Sequence, residues 1–253
     1  MTYNIRYATE RDGINSWENR KEWVVDQLKE TKPDVFGIQE GLHHQVEYLD
    51  SALTDYAYVG VGRDDGATGG EYTAIFYQTQ NLSVLEHDTF WLSESPDTVS
   101  VGWDASMERI TTWARFKSLE SNKEFVVFNV HLDHIGEESR LNSLKLIRSF
   151  IEENIEKDLP VIVMGDLNAV PESEPINYLN WVMNDAWDVS KIKSEGPVGT
   201  FHGFDPNHPL ENRIDYIFVN SAIEVESYEA IFARDNGFFP SDHLPVLVNF
   251  TMQ

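Results

Sequence analysis

Polar residues of the kinds that handle metals and phosphate recur in this chain where apolar runs stop. They fall in six short signatures: Tyr3-Asn4-Ile5-Arg6, Gln39-Glu40, Asn129-Val130-His131-Leu132-Asp133-His134, Gly165-Asp166-Leu167-Asn168, Arg213-Ile214-Asp215-Tyr216 and Ser241-Asp242-His243. Taken singly, each has a plain structural reading. A carboxylate after a strand can cap a helix, Gly, Asp and Asn are the commonest turn formers, and a lone His is more often structural than catalytic. Six such signatures in one chain, each closing an apolar segment, are hard to attribute to caps. The set is rich in hard oxygen donors and the chain has no cysteine, which suits Mg²⁺ or Mn²⁺, cations that take carboxylates and keep waters for phosphate oxygens. Zinc fits less well, because no His-Glu-x-x-His or Cys-rich spacing occurs. Acids gathered at one site repel one another unless a cation neutralises some of them. Histidines beside those acids supply what phosphoester hydrolysis then needs: a group to deprotonate or orient water, and donors for charge on the phosphoryl oxygens.

The elements that must position these residues can be read from hydrophobic periodicity. Val161-Ile162-Val163-Met164 follows Pro160 and stops on Gly165-Asp166, the pattern of a buried strand leaving into a functional loop. Residues 34–40 repeat that pattern and end on Glu40. Further strands are expected at 56–61, 72–77, 82–90, 111–117, 124–131, 214–219, 223–230 and 244–250. Helical spacing links Trp17, Val24 and Leu28, then Leu42, Val46, Leu49 and Leu53, then Leu144, Ile147, Ile151 and Ile155, and residues 174–189 also read as helix. Strands interleaved with helices predict a mixed α/β fold with two sheets. The strand–helix–strand sets that end at Glu40 and Asp166 predict two similar halves. No Pro/Gly/Ser linker divides the chain, so residues 1–253 read as a single domain. The glycine-rich stretch 62–70 lacks the Lys-Ser/Thr ending of a P-loop and is not a nucleotide cradle.

Composition limits the partners. The chain has 253 residues, 41% of them hydrophobic, so it can bury a sizeable core. Its 43 acids against 19 bases give a formal charge of −24, which repels a polyanion at long range and argues against tight, non-specific nucleic-acid binding. No apolar run approaches the roughly 18 residues needed to span a bilayer, and Arg6, Glu10, Arg11 and Asp12 interrupt any signal-peptide core. A soluble, cytoplasmic, monomeric protein without membrane association is expected, with a phosphorylated small molecule or short oligonucleotide as its partner.

In order and combination, the six signatures resemble the endonuclease/exonuclease/phosphatase superfamily, the deoxyribonuclease-I-like fold shared by abasic-site endonucleases, sphingomyelinases, inositol polyphosphate 5-phosphatases and nocturnin-like deadenylases. The resemblance runs from Asn4 to His243. It implies an α/β (α+β) four-layer sandwich of two mixed β-sheets flanked by helices, with the site at one edge between the sheets. It also implies roles: Glu40 as principal metal ligand, Asn4 helping to hold the metal or its water, and Asp242 at a second metal or outer position. Asp166 would orient or activate the attacking water, Asn168 would contact the phosphate, and Asp215 would fix His243, which stabilises phosphoryl charge or assists proton transfer. His131 would face the scissile phosphate with Glu71 as its partner, and Arg109 resembles a phosphate-binding arginine. The His-Leu-Asp-His segment, with Phe90-Trp91-Leu-Ser-Glu-Ser-Pro96 and Gly102-Trp103-Asp-Ala105, resembles a bacterial subgroup related to the deadenylase-like branch. Arg6 departs from the abasic-site enzymes, which carry an acid there. Trp91, Trp103, Phe201, His202 and Phe204 lie in expected loops and either form a stacking wall for a base or sugar or pack those loops down. The expected function is therefore divalent-metal-dependent hydrolysis of a phosphodiester or phosphomonoester by an activated water. A 3′–5′ exoribonuclease is the alternative within the class, and a non-catalytic binding module on the same fold is the alternative outside it.

Overall fold

The computed structural model of the chain describes residues 1–233 and 238–253. In chain order its strands are β1 (Thr2–Asn4), β2 (Val35–Gln39), β3 (Gly41–Leu42), β4 (Tyr56–Val59), β5 (Glu71–Tyr72), β6 (Ile75–Gln78), β7 (Leu82–Trp91), β8 (Ile110–Ser118), β9 (Glu124–His131), β10 (Val161–Asp166), β11 (Asn184–Asp185), β12 (Ile192–Lys193), β13 (Asp215–Val219), β14 (Ile223–Ala230) and β15 (Val246–Met252). The helices are α1 (Trp17–Thr31), α2 (His43–Ala52), α3 (Glu137–Asn154), α4 (Glu174–Val182) and α5 (Ala186–Val189). One sheet runs β12-β14-β15-β1-β2-β6-β4, a second β11-β13-β10-β9-β8-β7, and β3 and β5 form a small two-stranded sheet. Among the described residues, no helix is long and apolar enough to cross a membrane.

The sheets pack face to face. Val35, Val59, Ile75 and Val246 of the first meet Ala114, Phe116, Val127, Met164 and Ile217 of the second in one buried cluster. Behind the first sheet, Val24 and Leu28 of α1 and Val46 and Leu49 of α2 cover Tyr3, Phe36, Ile38 and Phe76. Behind the second, Leu144 and Ile147 of α3 and Ile176 and Leu179 of α4 cover Val126, Phe128, Val161 and Val163. This is the expected four-layer sandwich, and it explains why β10 reads as an unbroken apolar run: both of its faces are covered. Each fully buried Leu, Ile or Phe contributes about 1.5–3 kcal/mol relative to exposure.

The two halves share a plan. In the first, β1 and β2 pair in parallel across the α1 crossover and β6 joins β2 antiparallel. In the second, β9 and β10 pair in parallel across α3 and β13 joins β10 antiparallel. A buried polar network sets one half against the other. Gln39 donates to Thr2 Oγ1 and to Asn129 Oδ1 (3.0 and 2.6 Å), and Asn129 Nδ2 donates to the carbonyls of Ile38 and Ala74. Gly37 makes room for it, since a Cβ there would sit 2.4 Å from Asn129 Cγ.

Several element boundaries differ from those expected. Residues 174–189 are not one helix. The chain leaves α4 at Met183, pairs Asn184 and Asp185 with Val219 and Phe218, and restarts at α5, where the Asp185 carboxylate accepts from Trp187 N–H. Asp185 also holds Arg213 in a buried ion pair at 2.7 Å, and that pair anchors the interruption. The strand expected over 72–77 divides into β5 and β6, and the last strand begins at Val246, after Pro245, which has no N–H to give the ladder.

Candidate active site

Register brings the candidate residues together. Asp166 closes β10, with His131 its parallel partner on β9 and Asp215 its antiparallel partner on β13. Three residues far apart in sequence thus stand side by side on one sheet edge. Gly165 permits the close strand approach this needs: its φ is +147°, and a Cβ would lie 1.9 Å from the Val130 carbonyl oxygen. Opposite, on the other sheet, Asn4 closes β1 beside Gln39, and Glu40 follows in the left-handed region at φ 64°.

Asn4 ties the two edges together. Its Nδ2 donates to Glu40 Oε1 and to Asp166 Oδ2, both at 3.0 Å, while its Oδ1 accepts from Arg6 N–H. The resemblance assigns Asn4 to the metal or its water. In the structure its amide nitrogen faces the two carboxylates and its oxygen accepts from the backbone. Tyr7 N–H donates to Glu40 Oε2, and Asn168 N–H to Asp166 Oδ1. Asn168, at φ 46°, also donates from its side chain to the Leu132 carbonyl, which holds its amide against the end of β9.

The two histidines flank Asp166, and their surroundings shift them in opposite directions. His243 Nδ1 lies 2.9 Å from Asp215 Oδ2, and its Nε2 faces Asp166 Oδ2 at 3.8 Å. Burial opposes a charged imidazole, but the charge and hydrogen bond of Asp215, with Asp166 and Asp242 beyond, hold the His243 pKa well above its ordinary value. His131 is different. Burial, then the nearby guanidinium groups of Arg109 and Arg63, push its pKa well below the ordinary value. Arg109 Nη1 is 3.2 Å from His131 Nε2, and because a guanidinium only donates, Nε2 accepts and the ring proton lies on Nδ1, 3.7 Å from Glu71 Oε2. Between them, burial and the charge of Asp215 raise the Asp166 carboxyl above the usual range.

Behind His131 the expected assignments change. Arg109, expected at the phosphate, is 3% exposed and engaged with Asp133 at 3.3 Å, His131, and His134 Nδ1 at 3.0 Å, so it supports His131 from behind. Glu71 does reach His131, but its bidentate partner is Arg63, at 2.8 and 3.0 Å. Of the aromatic wall, Phe201 alone among these rings contacts a site residue, lying edge-on to His243 with centroids 4.9 Å apart. Trp91 is buried, donates from Nε1 to the Arg63 carbonyl and packs under Gly66, so it holds the glycine-rich loop down. Trp103 is half-buried on a loop that Asp133 and Asp104 tie to the start of α3 through Ser106 and Ser139. His202 packs against Phe239 with ring centroids 4.0 Å apart and planes tilted by 39°.

Sequence reading missed several positioning residues. Thr200 Oγ1 accepts from both Ile214 and Asp215 N–H at 3.1 Å, and Ser241 Oγ donates to the Asn4 carbonyl at 2.7 Å. Asp133 and Ser241 stand inside the quoted signatures, so spacing could have flagged them; nothing local marks Thr200.

A cation would fit here. Glu40 and Asp166 each offer a carboxylate oxygen, within 4.8 Å of one another and of an imidazole nitrogen of His243, and burial together with Glu40's charge raises the Asp242 pKa despite His243 nearby. Carboxylates crowded until their pKa values rise are short of positive charge, and their oxygens are hard donors.

A model of the Endonuclease/Exonuclease/phosphatase family matches residues 1–243. The fold superposes on an endonuclease/exonuclease/phosphatase from Bacteroides vulgatus with TM-score 0.95 and 39% identity, covering 100% of this chain and 97% of that one. It superposes on a mannosyl-6-phosphatase from Bacteroides thetaiotaomicron with TM-score 0.92 and 36% identity, covering 99% and 98%. The 3′–5′-exoribonuclease subunit of the CCR4-Not complex from Mycosarcoma maydis is 22% identical over 340 residues, which take in 100% of this chain and 50% of that protein.

Proposed function

The chain belongs to the endonuclease/exonuclease/phosphatase family, and on that premise we propose that it is a Mg²⁺- or Mn²⁺-dependent phosphoesterase acting on a small phosphorylated molecule, a sugar phosphate in the first instance. The observation that carries this reading is Asp166 set between His243 and His131, whose Nε2 atoms lie 3.8 and 3.6 Å from its Oδ2. Glu40 would hold the cation, with Asp166 and Asp242 beside it. When bound, such an ion polarises phosphoryl oxygens and lowers the pKa of coordinated water. Asp166, fixed by Asn4 and by Asn168 N–H, orients the attacking water and takes its proton at Oδ2. His243 presents a charged Nε2–H to the oxygen on which negative charge develops, and Asp215 keeps that proton in place. Arg109 holds His131 neutral, with its ring plane fixed.

Two observations favour a small substrate. The surface carries a charge of −24, unfavourable for a long polyanion, and the structural relative at 36% identity is a mannosyl-6-phosphatase. The exoribonuclease relative supports a second reading, 3′–5′ hydrolysis of RNA. A metal-supplemented panel of hexose 6-phosphates, nucleotides, a bis-aryl phosphate, phospholipid head groups, short DNA and oligo(A), with His243→Ala as the blank, separates the readings. Turnover of a sugar phosphate, lost in the blank, is the expected result. Oligo(A) cleavage that falls with rising salt would favour the exonuclease, and turnover of none of the panel would sink the catalytic reading.

A further inference from the structure

Arg6 is an unexpected residue to find at this edge. Its guanidinium lies among three carboxylates: Asp12, held through two hydrogen bonds at 3.0 and 3.1 Å, Glu40 at 3.8 Å and Asp242 at 3.9 Å. Its backbone is fixed in the left-handed region at φ 56°, a conformation that side-chain-bearing residues adopt only when their surroundings hold them there. Those surroundings are visible. The Arg6 carbonyl accepts from buried Arg20 Nη2 at 2.7 Å and from Gln45 Nε2 at 3.0 Å, and Arg6 N–H donates to Asn4 Oδ1. Arg20 also donates to the carbonyls of Ile5, Asn15 and Pro240, so the turn that aims Arg6 is bound to the segment leading into Asp242.

Without the guanidinium, the Asp12, Glu40 and Asp242 carboxylates, hard oxygen donors of the type that binds a divalent cation, would lose the positive charge that lies within 3.9 Å of each. Arg6 stands on the Oε2 side of Glu40, whereas Asn4 and Asp166 stand on its Oε1 side. We propose that Arg6 is a built-in cation occupying the flank where a second metal ion would sit, so that the site takes one divalent ion, on the Asp166 side of Glu40. The inference rests on the metal-dependent reading above. A guanidinium is charged at every working pH, so this flank needs no ion from solution.

Mn²⁺ binding to the purified protein, followed by electron paramagnetic resonance of the free ion and by isothermal titration calorimetry, tests this without any turnover. One ion per wild-type chain is expected, two for Arg6→Ala, and one for Arg6→Lys, with circular dichroism reporting the fold of each. Two ions on the wild type, or one on a folded Arg6→Ala chain, would overturn the proposal. If Arg6→Ala does not fold, the wild-type and Arg6→Lys stoichiometries decide, and two ions on either overturn it. No binding to the wild type would overturn the metal-dependent reading itself and the proposal with it, whereas two ions would overturn only the proposal.

Discussion

One imidazole links two buried carboxylates: His243 lies 2.9 Å from Asp215 through Nδ1 and turns Nε2 toward Asp166. Asp215 is 0% exposed and its Oδ1 has no partner among the described residues, so the hydrogen bond its side chain makes goes to that ring. The pair therefore fixes the His243 ring beside Asp166 at the edge where phosphate is expected.

Asp215→Asn is expected to lower turnover by roughly 10²–10⁴-fold, the usual size of a general acid–base contribution, and to bring the His243 titration down toward that of a free histidine in NMR of the metal-free protein. The raised His243 pKa also sets the sign of a stability effect. A group titrating higher in the folded chain stabilises it fully below the unfolded imidazole value of about 6.5 and loses that contribution as pH rises through the folded value. Urea midpoints of wild type and Asp215→Asn should thus differ more at neutral pH than in strong alkali; a gap that ignores pH would remove the His243–Asp215 account.

Asp133 is the anchor for Arg109. Burial opposes its charge, but the N–H groups of Gly136 and Ile135, Ser106 and the Arg109 guanidinium together hold its carboxyl well below the usual range. A depressed carboxyl stabilises the fold above the unfolded value of about 3.9, and that stabilisation is lost as pH falls through the folded value. Asp133→Asn leaves Arg109 buried without its counter-ion and should cost about 3–5 kcal/mol at pH 7, with the difference shrinking in strong acid. Equal denaturation midpoints at pH 7 would show that Arg109 does not depend on Asp133.

Gly165→Ala tests whether backbone approach positions Asp166. The added Cβ meets the Val130 carbonyl at 1.9 Å and must sit at a φ of +147°, so a loss of at least about 1–3 kcal/mol is expected. Activity should fall further than stability, because the residue that shifts is the neighbour of Asp166. A variant with the wild-type melting temperature and rate would mean that β9 and β10 can separate freely.

Chelation should abolish turnover and Mg²⁺ or Mn²⁺ restore it. The same ions should raise the melting temperature of the metal-free protein, since a ligand at 100 times its Kd adds about 2.7 kcal/mol to the folded state. Glu40→Gln should lose most of that thermal shift while folding normally. Full activity after exhaustive chelation would end the metal reading.

Much of this arrangement was legible in residue order. The runs ending at Glu40, His131 and Asp166 are real strand ends, because a strand buried on both faces must be apolar until it leaves the sheet. The α1, α2 and α3 faces followed their periodicity for the same reason. Residues 174–189 misled, since the propensity of Met183-Asn184-Asp185 says nothing of Arg213, which draws Asp185 into a sheet. For Trp91 both readings, ligand platform or loop packing, stayed open because its sequence carries no sign that it closes β7 or of what lies against it, here the Gly66 turn.

By itself the sequence determined which groups are available and that each stands where a strand ends: hard oxygen donors, histidines and no thiol. Tertiary structure decided what each group is. Asn4 lies 162 residues from the Asp166 it donates to, and His131 and His243, identical in type, shift in opposite directions, the one lowered by burial and then Arg109, the other raised by Asp215 against the cost of burial. Charge state depends on burial and on the nearest opposing charge, and only the packing of the two sheets brings those together.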